Sequence, residues 1–255
     1  MKRIVVKVGS AVLTQDGEIA QERMEELVDF LFELRKSNEV ILVSSGAVAA
    51  GYTKLKLDRS IIKNKQALAA IGQPILMNKY ANNFLKFDII TSQVLVTAAN
   101  LRKDDDIKRV KNTVDTLLEN GVIPIVNEND ATSTEELEVG DNDQLSAYMT
   151  KHTASDMLII LSDIDAYYDS DPRVNINAKA LKKVNKIDEA ELQKEVTPNN
   201  VFATGGIVTK LKAASYLLDS DIDMFLASGL NLSDVKSFML ENKHNGGTIF
   251  TKTSF

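Results

Sequence analysis

The chain has 255 residues, with 30 Lys plus Arg against 36 Asp plus Glu, a net charge of −6 and a pI near 5.1. That balance excludes a general nucleic-acid binder, which needs a basic face to neutralise phosphates, and an apolar share of 44% excludes intrinsic disorder. Cysteine is absent, which removes disulfides, zinc ribbons, iron–sulfur clusters and a thiol nucleophile; the two histidines, His152 and His244, stand far apart in contexts that read as structural or surface.

In chain order, Met1-Lys2-Arg3 starts like a signal peptide, but the apolar run that follows is broken at Lys7, too soon for a leader. No apolar stretch approaches the ~20 residues that cross a bilayer, so a cytoplasmic protein is expected. Apolar runs at residues 4–8, 40–43, 89–94, 122–126, 157–161, 223–227 and 248–251 read as strands. Most are continuous rather than alternating, as for strands buried on both faces. Between them, residues 21–37 put Met24, Leu27, Val28, Leu31 and Leu34 on one helical face, and 64–86, 107–119, 142–151, 209–218 and 233–241 are further helices. Segment 64–86, with Ile71, Leu76, Tyr80 and Phe84, reads either as core packing or as a subunit interface. Strand–helix alternation predicts an α/β fold, a central mainly parallel sheet covered by helices on both faces, with functional loops at the carboxyl ends of the strands. There is no linker or internal repeat, so residues 1–255 read as a single domain. Two irregular stretches stand out: 163–185, and a polar hairpin at 131–140.

Several motifs fail on inspection. No Gly-x-Gly-x-x-Gly follows a strand. Gly46 and Gly51 have P-loop spacing, but Tyr52 stands where a lysine must be. Asp163, Asp165, Asp169 and Asp171 mimic a calcium loop but lack its glycine and its closing glutamate. Asp104-Asp105-Asp106 reads as a solvated charge run.

Four segments carry chemistry. Lys7-Val8-Gly9-Ser10 puts a lysine inside an apolar run, where it is costly unless it meets an anion or solvent, and follows it with a glycine. Ser44-Ser45-Gly46-Ala47 runs from a buried strand into small residues that open a helix, exposing backbone N–H groups to an anion. Asn127-Glu128-Asn129-Asp130 and Gly140-Asp141-Asn142-Asp143 bracket one loop with acidic and amide groups that could grip an ammonium group or a metal, or orient lysines. Thr204-Gly205-Gly206-Ile207-Val208-Thr209-Lys210 is a glycine turn before a helix with a lysine in its first turn. Two lysines, two glycine turns and a carboxylate/amide pocket, without a strong base, fit phosphoryl transfer to a carboxylate. Such an acceptor is already ionised at neutral pH and needs no proton removed.

In this order and combination the four segments resemble the amino acid kinase superfamily, and within it the glutamate 5-kinase branch, over residues 2–250. The resemblance implies a three-layer αβα sandwich and ATP-dependent phosphorylation of the L-glutamate side-chain carboxylate, the first step of proline biosynthesis, with Mg²⁺ as the expected metal. It assigns Lys7 and Lys210 to the transferring phosphoryl group and Asp143 to orienting them. Ser45, Asp130, Asp141 and Asn142 would hold glutamate, with Asn127 nearby. Gly9, Ser10, Ser162, Asp163 and the run Thr204, Gly205, Gly206, Ile207, Val208, Thr209 and Lys210 would line the ATP site, which the loop at Asp171-Pro172-Arg173 also resembles. The N-terminal part would then carry mainly the glutamate site and the C-terminal part mainly the ATP site, with no metal held by protein residues alone. Ser162 stands where the family usually has Thr, and Ile207-Val208 where it usually has a Met-Ser or Met-Gly type pair. The chain stops at Phe255, where many bacterial relatives continue into a PUA domain, so a short form is expected. The family also suggests proline as a feedback inhibitor and a homo-oligomer, dimer or tetramer, with no nucleic-acid or membrane partner. The competing readings are a sister kinase for aspartate, N-acetylglutamate or carbamate, and a silent nucleotide or amino-acid sensor.

Overall fold

The computed structural model describes residues 1–15, 17–97, 99–132, 142–193 and 206–253. Strand β1 (Lys2–Val8) leads through the short helix α1 (Ser10–Leu13) and the small hairpin β2 (Thr14–Gln15) and β3 (Glu18–Ile19) into helix α2 (Gln21–Arg35). Then come β4 (Asn38–Ser44), α3 (Ala47–Tyr52), α4 (Ile62–Phe84), β5 (Thr91–Val96), α5 (Asp104–Glu119), β6 (Ile123–Glu128) and α6 (Asn142–His152). The chain continues through β7 (Met157–Ser162), β8 (Lys183–Val184), α7 (Glu189–Leu192), α8 (Ile207–Leu218), β9 (Asp223–Ser228), α9 (Ser233–Glu241) and β10 (Thr248–Phe250).

Eight strands form one sheet in the order β5-β6-β4-β1-β7-β9-β10-β8, parallel except where β10 meets β9. The sheet is the parallel, doubly covered one expected from the continuous apolar runs. Strand β1 lies at its centre, with Lys7 opposite Val43 of β4 on one side and Ile160 of β7 on the other. The chain builds β4 and β6 to one side of β1, and β7 and β9 to the other. The crevice outside the carboxyl ends of β1, β4 and β7 is therefore a topological switch point, where ligands bind in open α/β sheets.

Alternation along β1 divides the core into two layers. Ile4, Val6 and Val8 face α2, α4 and α9 with Leu27, Leu31, Leu34, Leu76, Tyr80, Phe84 and Val235. Val5 points the other way, into a layer with Leu145 and Met149 of α6 and Leu211, Leu217 and Leu218 of α8. Lys7 has the same parity as Val5, so its side chain enters the α6/α8 layer. The α2 helix forms because Met24, Leu27, Val28, Leu31 and Leu34 make one buried stripe. Each such side chain contributes roughly 1.5–3 kcal/mol on burial.

Several boundaries differ from those read in the sequence. The strand expected at 89–94 is β5 at Thr91–Val96. Asp88 takes a left-handed backbone (φ 53°) and the Ile89 amide donates to the Phe84 carbonyl, so Ile89 closes the end of α4 instead of pairing in the sheet. The helix expected from 107 starts at Asp104, because Asp104, Asp105 and Asp106 fill its first turn and complement the helix dipole. Leu76, Tyr80 and Phe84 are fully buried in the core, which removes them from any subunit interface. The hairpin expected at 131–140 falls almost wholly outside the described residues. His152 stacks on Tyr148, and His244 packs edge-on against Phe225 and Phe238, as structural histidines do. Among the described residues, no helix is long and apolar enough to cross a membrane.

Candidate active site

Lys7, Asp143 and Lys210 come together from β1, α6 and α8. Asp143 is fully buried, and Lys7 and Lys210 are 4% and 2% exposed. Lys7 Nζ donates to Asp143 Oδ1, while Lys210 Nζ donates to Oδ2 at 3.1 Å and Thr209 Oγ1 to the same oxygen at 2.8 Å. One carboxylate thus holds two ammonium groups side by side. Burial alone would push the Asp143 carboxyl up. The charges of Lys210 and Lys7, with hydrogen bonds from Lys7 and Thr209, instead hold it well below the usual carboxylate range. The trio carries two positive charges against one negative, a net +1.

Glycine shapes the space beside the lysines. Gly9 has an ordinary backbone (φ −76°), and its amide already donates to the Leu161 carbonyl at 3.1 Å. A Cβ there would stand 3.8 Å from Lys7 Nζ, at ordinary van der Waals contact. Ser10 opens α1, and Gly206 caps α8, its carbonyl oxygen 2.9 Å from Thr209 Oγ1, which shares its one proton with Asp143. The N-terminal ends of α6 and α8 therefore both border the lysine pair, and helix N-termini favour anions.

The neighbouring half of the site is built from neutral amides. Asn142 Nδ2 donates to Ser45 Oγ at 2.8 Å and to Asn127 Oδ1 at 3.0 Å. Asn127 Nδ2 donates to Gln73 Oε1 at 2.9 Å, and Gln73 Nε2 to Gln93 Oε1 at 3.0 Å. Ser45 follows β4, whose last residue, Ser44, is pinned to the Tyr80 hydroxyl at 2.8 Å. Gly46, with φ 108°, turns the chain into α3 in a conformation that disfavours side chains. Beside the amides lies a cavity of about 230 Å³ lined by Ala47, Gln73, Pro74, Gln93, Glu128 and Asp130, among others. Burial pushes the Asp130 carboxyl up to about 6, against the pull of the Lys65 charge.

The expected residues fall into three groups. Lys7, Asp143, Thr209 and Lys210 join directly, as do Ser45, Asn127 and Asn142, while Asp130 lines the adjoining cavity. Ser162 and Asp163 bond to each other at the end of β7, at 3.0 Å, and Asp171 and Arg173 form their own exposed pair at 2.7 Å. Asp141, Thr204 and Gly205 lie outside the described residues. Gln73 and Gln93 were not anticipated, and Tyr80, expected in the core or an interface, was not expected to reach the site's edge at Ser44. Gln73 had a legible signal, since it shares a helical stripe with Ala69, Gly72, Leu76 and Tyr80, all buried.

With this geometry in hand, comparison with known proteins is direct. The sequence profile described as the amino acid kinase family matches residues 2–228. The chain belongs to the amino acid kinase family. Within it, the chain is 50% identical to the glutamate 5-kinase of Wolinella succinogenes, covering 99% of this chain and 98% of that protein. It is 49% identical to the glutamate 5-kinase of Leishmania donovani, covering 98% and 95%. Among solved structures, UMP kinase from Ureaplasma parvum superposes with a TM-score of 0.66 at 19% identity, covering 98% of this chain and 99% of that one. Carbamate kinase from Giardia lamblia bound to AMP-PNP does so with 0.66 at 16% identity, covering 99% of each. At such identities the structures attest to this family's fold, and their acceptors differ.

Proposed function

We infer that the protein is an ATP-dependent kinase that phosphorylates the side-chain carboxylate of L-glutamate to L-glutamyl 5-phosphate, the first step of proline biosynthesis. The observation that carries this reading is the buried pair of lysines held on one carboxylate beside an amide-lined acidic cavity, in a chain half identical to proteins of that name.

The chemistry follows from charge. A glutamate carboxylate oxygen forms the new bond to the γ-phosphorus as the bond to the β–γ bridging oxygen breaks, and ADP leaves with the electron pair. Two anions must meet, and at an effective dielectric of about 20 unit charges ~4 Å apart repel by about 4 kcal/mol. Each lysine at that distance offsets a repulsion of the same size, so Lys7 and Lys210 are assigned to the transferring phosphoryl oxygens. Asp143 keeps both ammonium groups in register before substrate arrives. It cannot serve as a base, because its neighbours hold it ionised with all its charge engaged.

On the nucleotide side, Gly9 leaves room over Lys7, and Ser10, Ser162, Asp163 and the α8 turn at Gly206, Ile207, Val208 and Thr209 contribute the walls. On the acceptor side, Ser45, Asn127 and Asn142 take the polar groups of glutamate, and Asp130 faces its ammonium. An N-acetylated acceptor lacks that positive charge, which disfavours it. Mg²⁺ would neutralise phosphate charge when bound. Among the described residues no three acidic or histidine side chains converge. The N-terminal part is thus assigned mainly to glutamate and the C-terminal part mainly to ATP, in one domain. A cytoplasmic location, a homo-oligomer and proline inhibition complete the reading on family resemblance.

The test is a hydroxylamine trap with Mg²⁺-ATP and, separately, L-glutamate, L-aspartate, N-acetyl-L-glutamate and carbamate. Acyl phosphate gives a coloured iron–hydroxamate complex. Signal with glutamate alone is the expected outcome. Signal with another acid moves the function to a sister kinase, and ATP binding without any signal overturns turnover altogether.

A further inference from the structure

The amide chain that reaches the site has a direction. Reading outward from Asn142, each side chain donates through nitrogen to the oxygen of the next: Asn142 to Asn127 at 3.0 Å, Asn127 to Gln73 at 2.9 Å, Gln73 to Gln93 at 3.0 Å. An amide that donates at one end is fixed as to which way its oxygen points. At the head of the chain, Asn142 Oδ1 is buried and has no hydrogen-bond partner among the described residues. A buried acceptor without a donor is costly, and its natural complement is an N–H group brought by a ligand.

We propose that Gln73 is a positioning residue for acceptor recognition: through Asn127 it holds the Asn142 amide with its oxygen, not its NH₂, toward the ammonium group of the amino-acid substrate. This rests on the function proposed above. Asn127 and Gln73 are 1% and 8% exposed, so water does not readily replace either partner. The helix holding Gln73 is anchored at the preceding residue. A Cβ on Gly72 would fall 1.8 Å from the Ala47 carbonyl oxygen, and one on Gly51 would fall 1.9 Å from that of Leu68, so α3 and α4 touch backbone to backbone. That contact ties Gln73 to the helix that opens just after Ser45. Without an acceptor at position 73, Asn127 turns freely, and Asn142 keeps only its bonds to Ser45 Oγ and, at 3.4 Å, the Ser44 carbonyl, so its NH₂ turns more readily toward the ammonium, donor against donor.

The experiment compares Gln73→Glu, Gln73→Met and Gln73→Lys for kcat, KM for L-glutamate and thermal unfolding. A packing role ranks Met as best tolerated and both Glu and Lys below it, since Met is apolar and the other two bring charge into a buried position. The relay predicts the reverse order for Met and Glu. Glu still accepts from Asn127 and rescues, with KM within about threefold of wild type. Met raises KM about tenfold with kcat within threefold, the scale of one buried hydrogen bond lost. Lys, a donor where an acceptor is needed, raises it furthest. A Met variant with lower glutamate KM than the Glu variant overturns the proposal. If none of the three folds, Gln93→Leu at the exposed end of the relay decides: a KM raised about threefold supports it, and an unchanged KM overturns it. Wild-type protein without glutamate turnover removes the function and this inference together; wild-type turnover with the wrong ranking removes this inference alone.

Discussion

The two halves of the site are built on opposite principles. The Lys7–Asp143–Lys210 half is dry and charged, with every member at most 4% exposed. The Ser45–Asn142–Asn127–Gln73 half is uncharged and directional, and it opens on a cavity with a carboxyl group of raised pKa. Charge acts over distance and is indifferent to the identity of the anion; hydrogen bonds act at contact and discriminate. Rate should therefore sit in the first half and acceptor selectivity in the second.

The sharpest way to break this division is Asp143→Asn. It leaves two buried ammonium groups facing a neutral amide, and removing one partner of a buried ion pair costs about 3–5 kcal/mol. A fall in kcat of about 10³-fold and a lower unfolding temperature are expected; kcat within tenfold of wild type would remove its orienting role. Next is Lys210→Met, for which single-turnover kinetics should show a loss of about 10²-fold while KM for glutamate stays within about threefold. Equal losses in both parameters would place Lys210 in acceptor binding and blur the two halves.

Asp130→Asn tests the other side. KM for glutamate should rise about tenfold with kcat little changed. The pH dependence carries a sign. Asp130 is ionised only above about 6, so the ammonium finds its partner there, and wild-type KM should fall as pH rises through 6. The Asn variant should show a flat profile over that window. The same raised pKa means the folded chain holds this proton more tightly than the unfolded chain. Its contribution to stability is therefore present at low pH and lost as pH rises through about 6. The smallest effect is expected for Gly9→Ala. Its φ of −76° suits alanine, so the unfolding temperature should hold within about 2 °C. The added Cβ would take up space at ordinary contact distance from Lys7 Nζ and raise KM for ATP about threefold if phosphate packs there; unchanged KM would free Gly9 of any role in nucleotide fit.

Much of this was legible in the sequence, for physical reasons that differ by element. Strands β1, β4, β6, β7 and β9 read clearly because burial on both faces leaves a continuous apolar run. The edge strand β5 read two residues early, since Ile89 is apolar for the sake of a helix end and not of the sheet. Lys7 announced itself as a charge inside such a run. Asp143 could be suspected from its cluster, but its partners lie 136 and 67 residues away, a pairing that no local pattern encodes. Gln73 and Gln93 escaped because glutamine in a helix or an edge strand ordinarily faces water. The one sign against that default was the stripe on α4 that Gln73 shares with Ala69, Gly72, Leu76 and Tyr80.

The central place of β1 has a consequence for how the protein is made. Its neighbours on the two sides are β4 (Asn38–Ser44) and β7 (Met157–Ser162). The first is synthesised soon after β1, whereas the second is more than half a chain away. At about 5–20 residues per second, roughly 150 residues of waiting lasts on the order of 10 s. During that interval one flank of an apolar strand has no native neighbour and can capture a foreign one. The reaction centre closes only with β7, α6 and α8 in place, so a nascent chain must finish most of its translation before it can bind an anion at Lys7.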